Sequence, residues 1–190
     1  MITPDLIART AVETRRALTP LTDEDWSASV PGLDWSCWQV GVHLADALLA
    51  HAAQIVAQPS DDFLPIDLTV HDRATPASLL EVIDMTAGVL RSVFTLADPS
   101  ARSWHPWGIA DPVGSAAMGV TEALVHTRDI AAGLGSDWLP PADLCAPVIE
   151  RLFPDAPHGD PSAVLLWCTG RAALPDRSLQ TTWRWDVTVR

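Results

Sequence analysis

Glu122, His126 and Asp129 stand four and then three residues apart in the stretch TEALVHTRDIAAGLG. Those are the intervals that bring side chains together on one face of a helix. With Glu122 as zero, His126 lies ~40° round the helix and Asp129 ~20° to the other side, with Ser115 and Gly133 also ~20° away. Gly119 and Ile130 share this face, and Arg128 points roughly opposite. An inward helix face therefore carries a carboxylate, an imidazole and a second carboxylate among very small residues. A carboxylate buried alone costs several kcal/mol unless a positive charge meets it, and Lys and Arg are scarce nearby. A divalent cation would meet that charge, because carboxylate oxygen and neutral imidazole both ligate Zn²⁺ and similar ions. The plain alternative is a Glu–His hydrogen bond on a half-exposed face.

A third ligand has to come from another element, and an earlier helix offers His43 and His51. That helix opens at Ser36, whose spacing to Gln39 is that of a capping box, and runs to about Ala57 ahead of Pro59. Cys37, Val40, Leu44, Ala47, Leu48 and Ile55 form its apolar stripe. His43 lies at the edge of the stripe and His51 nearer its middle. Periodicity alone does not say which of them faces Glu122, and either reads equally well as a core histidine.

Around these, Pro4–Leu18 reads as a first helix, capped by Thr3 with Pro4 in its first turn. A third runs from Thr75-Pro76 to just before Asp98, with Leu79, Ile83, Leu90, Val93 and Phe94 inward. The fourth, which holds Glu122, spans about Ser115 to Ala132 before Gly133 and Gly135. Shorter helices are expected at Pro141–Leu152 and at Pro161–Cys168, the second capped by Asp160 and stopped by Gly170. RSWHPWGIADPVG reads as a loop with room for a short strand. The tail TTWRWDVTVR alternates polar and apolar residues and reads as a strand or extended edge. The expected fold is all-α: a single domain over residues 1–190, a bundle of four long helices with short C-terminal additions.

Composition narrows the function. The chain has 190 residues, is 48% hydrophobic and carries a formal net charge of −12. It has no basic run to neutralise phosphates, which argues against nucleic acid and anionic membranes as partners. No uninterrupted apolar run reaches the ~18 residues of a membrane span, and the N-terminus lacks the pattern of a signal peptide. Three scattered cysteines, Cys37, Cys145 and Cys168, fit reduced thiols in a cytoplasm. Nine Trp and no Tyr put most of the aromatic surface on indoles. An apolar, Trp-rich chain is compatible with a homodimer without marking a surface for it.

PGLDWSCWQVGVHLADAL, TEALVHTRDIAAGLG and AVLLWCTGR, in that order and spacing, resemble the mycothiol-dependent maleylpyruvate isomerase N-terminal-domain family within the DinB-like metalloenzymes. The resemblance implies a DinB-like four-helix bundle and a divalent metal, usually zinc. It assigns the ligands to His43, Glu122 and His126, favouring His43 over His51. It also implies mycothiol, a cysteinyl pseudodisaccharide without phosphate or carboxylate, as co-substrate. The chain departs from the family at Arg128, where an aromatic is common. Some members also carry a second, C-terminal domain that contributes to the isomerase site, whereas 190 residues are expected to hold one domain.

The expected activity is therefore a metal-dependent thiol S-transferase or isomerase-type reaction, joining a low-molecular-weight thiol to a small electrophile. A metal-dependent hydrolase, or a bundle that binds a metal or small ligand without catalysis, would use the same residues. Asp129 would orient a ligand or pair with an arginine such as Arg171. Arg171 itself would hold a substrate carboxylate or make a structural ion pair. His105 with Trp104 and Trp107, and Trp35 with Trp38, either line a pocket or simply pack. Cys37, in a first helical turn, is a weak nucleophile candidate. His71 and His158 read as surface.

Overall fold

Side-chain caps set the start of every α-helix but Ala142–Leu152 in the computed structural model, which describes residues 1–190. α1 (Pro4–Leu18) begins where Thr3 accepts a hydrogen bond from the Leu6 amide. α2 (Cys37–Ala57) begins at a reciprocal capping box: Ser36 Oγ accepts from the Gln39 amide and Gln39 Oε1 from the Ser36 amide. Thr75 and Ser78 form the same box at α3 (Pro76–Leu96). Asp111 caps α4 (Pro112–Gly133), which starts three residues earlier than the apolar pattern implied. α5 (Ala142–Leu152) and α6 (Pro161–Cys168) follow, the latter capped by Asp160. Between α3 and α4 the expected loop is an antiparallel hairpin, β1 (Ser103–His105) with β2 (Gly108–Ala110). The molecule is thus predominantly α, a helical bundle with one small two-stranded sheet.

Around the bundle the long helices follow the order α1, α3, α2, α4, so α2 and α4 lie side by side although the whole of α3 separates them in the chain. They run antiparallel. Cys37 sits against Ile130 and Gly133, His43 against Glu122, and His51 beside Gly119. α4 is covered on nearly all sides and is rich in Gly, Ala and Ser, which lets its neighbours come close. A Cβ on Gly119 would stand 2.5 Å from Leu90 Cδ2, with Leu48 and His51 also in contact. α2 is long and apolar enough to cross a membrane by length and composition, which counting uninterrupted runs did not reveal. Half of that window is buried in the bundle.

The tail corrects one expectation. Residues 183–190 form no strand. Trp185 and Val187 are buried and Arg184 and Thr188 exposed, so the alternation is real, but the tail meets the hairpin through side chains and forms no ladder with it. The tail is instead tied down singly: the Asp186 amide donates to the Leu152 carbonyl, and the Arg190 amide to Asp111. Asp111 also pairs with Arg151 in the interior at 3.0 Å.

Close approach at Gly119 should be sensitive to added volume. Gly119→Val is expected to destabilise the fold by about 1–3 kcal/mol, since overpacking shifts well-packed neighbours. Gly88→Ala, where nothing lies within 4 Å of the new Cβ, should stabilise it by roughly 0.5–1 kcal/mol. Urea unfolding midpoints of the two variants check both signs.

Candidate metal centre

The antiparallel register of α2 and α4 selects His43. It stands in the second turn of α2, level with Glu122 and His126, whereas His51 lies two turns further along, level with Gly119. His43 Nε2 is 3.5 Å and His126 Nε2 2.8 Å from Glu122 Oε2. One ligand atom from each of the three residues lies within 4.8 Å of the other two, a grouping able to hold a metal ion. The donor chemistry fits. Glu122 Oε2 is buried and has no aligned hydrogen bond, despite its close ionic neighbours. Two imidazole nitrogens and a carboxylate oxygen facing one another are three lone-pair donors that want a shared cation.

Asp129 and Arg171 set the direction of His126. Asp129 Oδ2 is 3.0 Å from His126 Nδ1. An ionised carboxylate only accepts, so Nδ1 carries the hydrogen and Nε2 is turned to Glu122. Arg171 grips the same carboxylate at 2.9 and 3.3 Å, and its remaining terminal nitrogen donates to the Thr169 carbonyl at 2.7 Å. The two readings of Asp129 therefore hold together: it orients a histidine and pairs with Arg171. Arg171 is engaged in that pair rather than extended towards a substrate.

Burial governs the charges. Burial by itself would raise the Glu122 carboxyl, but the His126 charge and the contacts with His126 and His43 hold it well below the usual range. Burial alone would likewise lower His126; the Glu122 charge and the Asp129 hydrogen bond overcome it and hold the ring at about 9. Asp129, whose burial would raise it, is kept low by hydrogen bonds from His126 and Arg171. Without a metal, the proton on His126 is the cation this buried cluster relies on.

The donors face a cleft of about 410 Å³. Trp35 forms one wall, edge-on to His43 at 5.0 Å, and Trp183 and Trp185 of the tail form another. Leu33, Asp34, Thr169 and the paired Arg171 also border it, with Thr121 and Val125 beside the donors. The two tail tryptophans escaped sequence reasoning; their inward alternation was the available signal, read as a strand instead. His105 is buried, lowered to about 4 by its desolvation, and lies away from the three donors against Trp107 and Trp185. His51 is buried but makes no hydrogen bond within the protein, unlike the satisfied core histidine it resembled. His71 and His158 are exposed. The cysteines are all buried free thiols. Burial raises Cys37 and pushes Cys145 to about 12 and Cys168 to about 11, so none is an activated nucleophile.

Compared with known protein families, residues 7–131 match the model of the mycothiol maleylpyruvate isomerase N-terminal domain. The matched segment contains His43, Glu122, His126 and Asp129. No curated protein matches the chain.

The charge cluster predicts a pH dependence for the metal-free protein. His126 is raised in the fold, so its contribution is complete below the unfolded value of 6.5 and is lost as pH climbs through about 9. Glu122 is lowered, so its contribution is complete above 4.5 and is lost as pH falls. Urea unfolding in the presence of a chelator should show a loss of about 2–3 kcal/mol between pH 6 and pH 9. Asp129→Asn should shrink that difference. Equal stability at both pH values would contradict the assignment of the proton to His126.

Proposed function

Since this chain belongs to the mycothiol maleylpyruvate isomerase N-terminal-domain family, we propose that it is a divalent-metal-dependent enzyme of the thiol S-transferase or isomerase type. His43, Glu122 and His126 would hold the metal, zinc being the ion best suited to two imidazoles and a carboxylate. The observation that carries this reading is the convergence of those three donors on the floor of an open cleft. Three protein ligands leave coordination open, which is the pattern of a catalytic rather than a structural site. When bound there, such an ion supplies positive charge that lowers the pKa of a thiol drawn to it.

The chain's own residues do the remainder. Asp129, clamped by Arg171, keeps His126 in the tautomer that turns Nε2 inward. Trp35 and Trp183 offer flat apolar walls to a co-substrate. No cysteine of the chain is accessible, so the sulfur has to arrive on a small molecule. Mycothiol is the favoured thiol, on the strength of the family and because an acidic protein of charge −12 does not repel a co-substrate free of phosphate and carboxylate. In the reaction a carbon–sulfur bond forms on a small electrophile. In a displacement the electron pair leaves with the leaving group and the thiol proton passes to solvent; in a conjugate addition the pair moves into the conjugated system, which takes up a proton in place of the one the thiol lost. The three buried free thiols suit a reducing cytoplasm.

Elemental analysis should find about one zinc-like ion per chain, lost in both His43→Ala and Glu122→Ala. The parent should then consume mycothiol in the presence of small electrophiles, and the variants should not. Turnover of an ester or amide without thiol would point to hydrolysis. Metal without turnover on a broad thiol–electrophile panel would leave a non-catalytic metal-binding bundle. Absence of metal after zinc is supplied at neutral pH would remove the site altogether.

A further inference from the structure

A second chamber of about 320 Å³ lies beyond the donor cluster, between α2, the loop around Phe63–Asp67 and the β1–β2 hairpin. It shares His43, Glu122 and Trp185 with the first cleft, so the two spaces meet at the donor cluster. A reaction that joins two molecules needs two approaches to one centre, and this architecture has two.

The chamber's walls have a definite chemistry. Their full charges are carboxylates, those of Asp46, Asp67 and Glu122, and no Lys or Arg lines them. Asp46 is already engaged, accepting from the Leu68 amide at 2.8 Å and fastening the loop over α2. His51 and His105 are each 7% exposed, and burial disfavours their charged forms. His105 Nδ1 accepts from the Trp107 amide at 3.3 Å, which leaves the proton on Nε2. Phe63 and Trp185 add aromatic surface, both packed against His105. Two wall residues carry buried polar atoms without partners. Gln54, 3% exposed, donates through Nε2 to the Trp104 carbonyl at 2.8 Å and leaves Oε1 unmet. Trp185 leaves its Nε1–H unmet. Both atoms lie beneath the accessible surface, so what a ligand in the chamber meets is the ring surface of Phe63, His105 and Trp185.

We propose that this chamber binds the electrophilic substrate, and that the substrate class is an uncharged aromatic or conjugated ring compound that packs against Phe63 and Trp185. The thiol then occupies the Trp35–Trp183 cleft on the other side of Glu122. Anionic electrophiles are disfavoured, because away from the donor cluster the chamber meets them with Asp46 and Asp67 and offers no Lys or Arg. The assignment of the two substrates rests on the thiol-transfer reading above.

The test uses 2-naphthol, a flat uncharged ring with a hydroxyl, against 2-naphthoate, its anionic counterpart, by calorimetric titration at neutral pH. The full chain is titrated with and without zinc. The expected result is one 2-naphthol site per chain in both forms, with 2-naphthoate binding at least tenfold more weakly in the zinc-free form, where no metal offers its carboxylate a ligand position. Nuclear Overhauser contacts should run from the probe to the rings of Phe63 and His105. Ala50 lines the chamber, and Ala50→Phe should fill it, weakening 2-naphthol at least tenfold while metal content stays that of the parent. Trp183→Ala, in the other cleft, should leave the affinity within twofold. In thiol-transfer assays Ala50→Phe should raise the KM for the electrophile and not for the thiol. Equal affinity for the anion, or contacts to Trp35 instead of Phe63, would overturn the proposal. Because the binding arm needs neither metal nor turnover, failure of the thiol-transfer reading would leave 2-naphthol binding intact. Failure of the chamber alone would leave metal and turnover intact.

Discussion

The structure is organised around one expensive group, the carboxylate of Glu122. It is placed on a helix buried almost all round, in a region with no lysine and few arginines. A charge there persists only if positive charge is brought to it. His126, one turn along the same helix, supplies it in the metal-free protein by holding a proton to about 9. Asp129 and then Arg171 stand behind His126, so the alternation of negative and positive groups runs from the cleft floor out to the segment after α6. A metal held by the same donors would take the place of that proton without requiring Asp129 or Arg171 to change charge.

That arrangement depends on how closely the helices approach. α4 can present Glu122 to α2 because Gly119 and Gly133 remove side chains where α2 and its neighbours press in: a Cβ at Gly133 would stand 2.4 Å from Cys37 Sγ. Small residues in α4 are thus the geometric counterpart of the charged ones. The antiparallel register they permit determines which α2 histidine joins the cluster. Shifting that register by two turns would bring His51 to Glu122 in place of His43, and would move the cluster away from the Trp35 end of the bundle.

The same distinction explains what the sequence could and could not reveal. Helix starts were legible because they rest on local chemistry: Thr3, Ser36 with Gln39, and Asp160 act on amides two or three residues away. α1 and α6 have the bounds their caps and prolines implied. The Glu122–His126–Asp129 face was legible because it lies within one helix. The choice between His43 and His51 was not, since it depends on the pairing of helices far apart in sequence; the family resemblance, not periodicity, pointed to His43. The tail was misread because alternation records only which side chains turn inward. Trp185 and Val187 turn towards the bundle and hairpin, and a strand also needs backbone pairing, which the tail makes with α5 at the Leu152 carbonyl and not with the hairpin. Asp129 and Arg171 were each legible as functional or structural, and the structure joins the two roles because orienting His126 requires a carboxylate that is itself held.

The matched family segment ends at residue 131, and that boundary divides the site by task. Within it lie His43, Glu122 and His126, whose donor atoms face one another, and Asp129, which holds His126 from behind. Beyond it lie Arg171, Trp183 and Trp185, which brace that cluster and wall the spaces on either side. Trp185 borders both chambers, and its position depends on ties far from the chemistry: the Asp186 amide on the Leu152 carbonyl, and Arg190 and Arg151 on Asp111 at the start of α4. A donor cluster carried on two packed helices is insensitive to changes in the tail. The shape of what can approach it is not, because one docked strap defines a wall of each chamber. The bundle thus fixes the donors, while the C-terminal segment walls both approaches to them and, through Arg171 and Asp129, steadies His126.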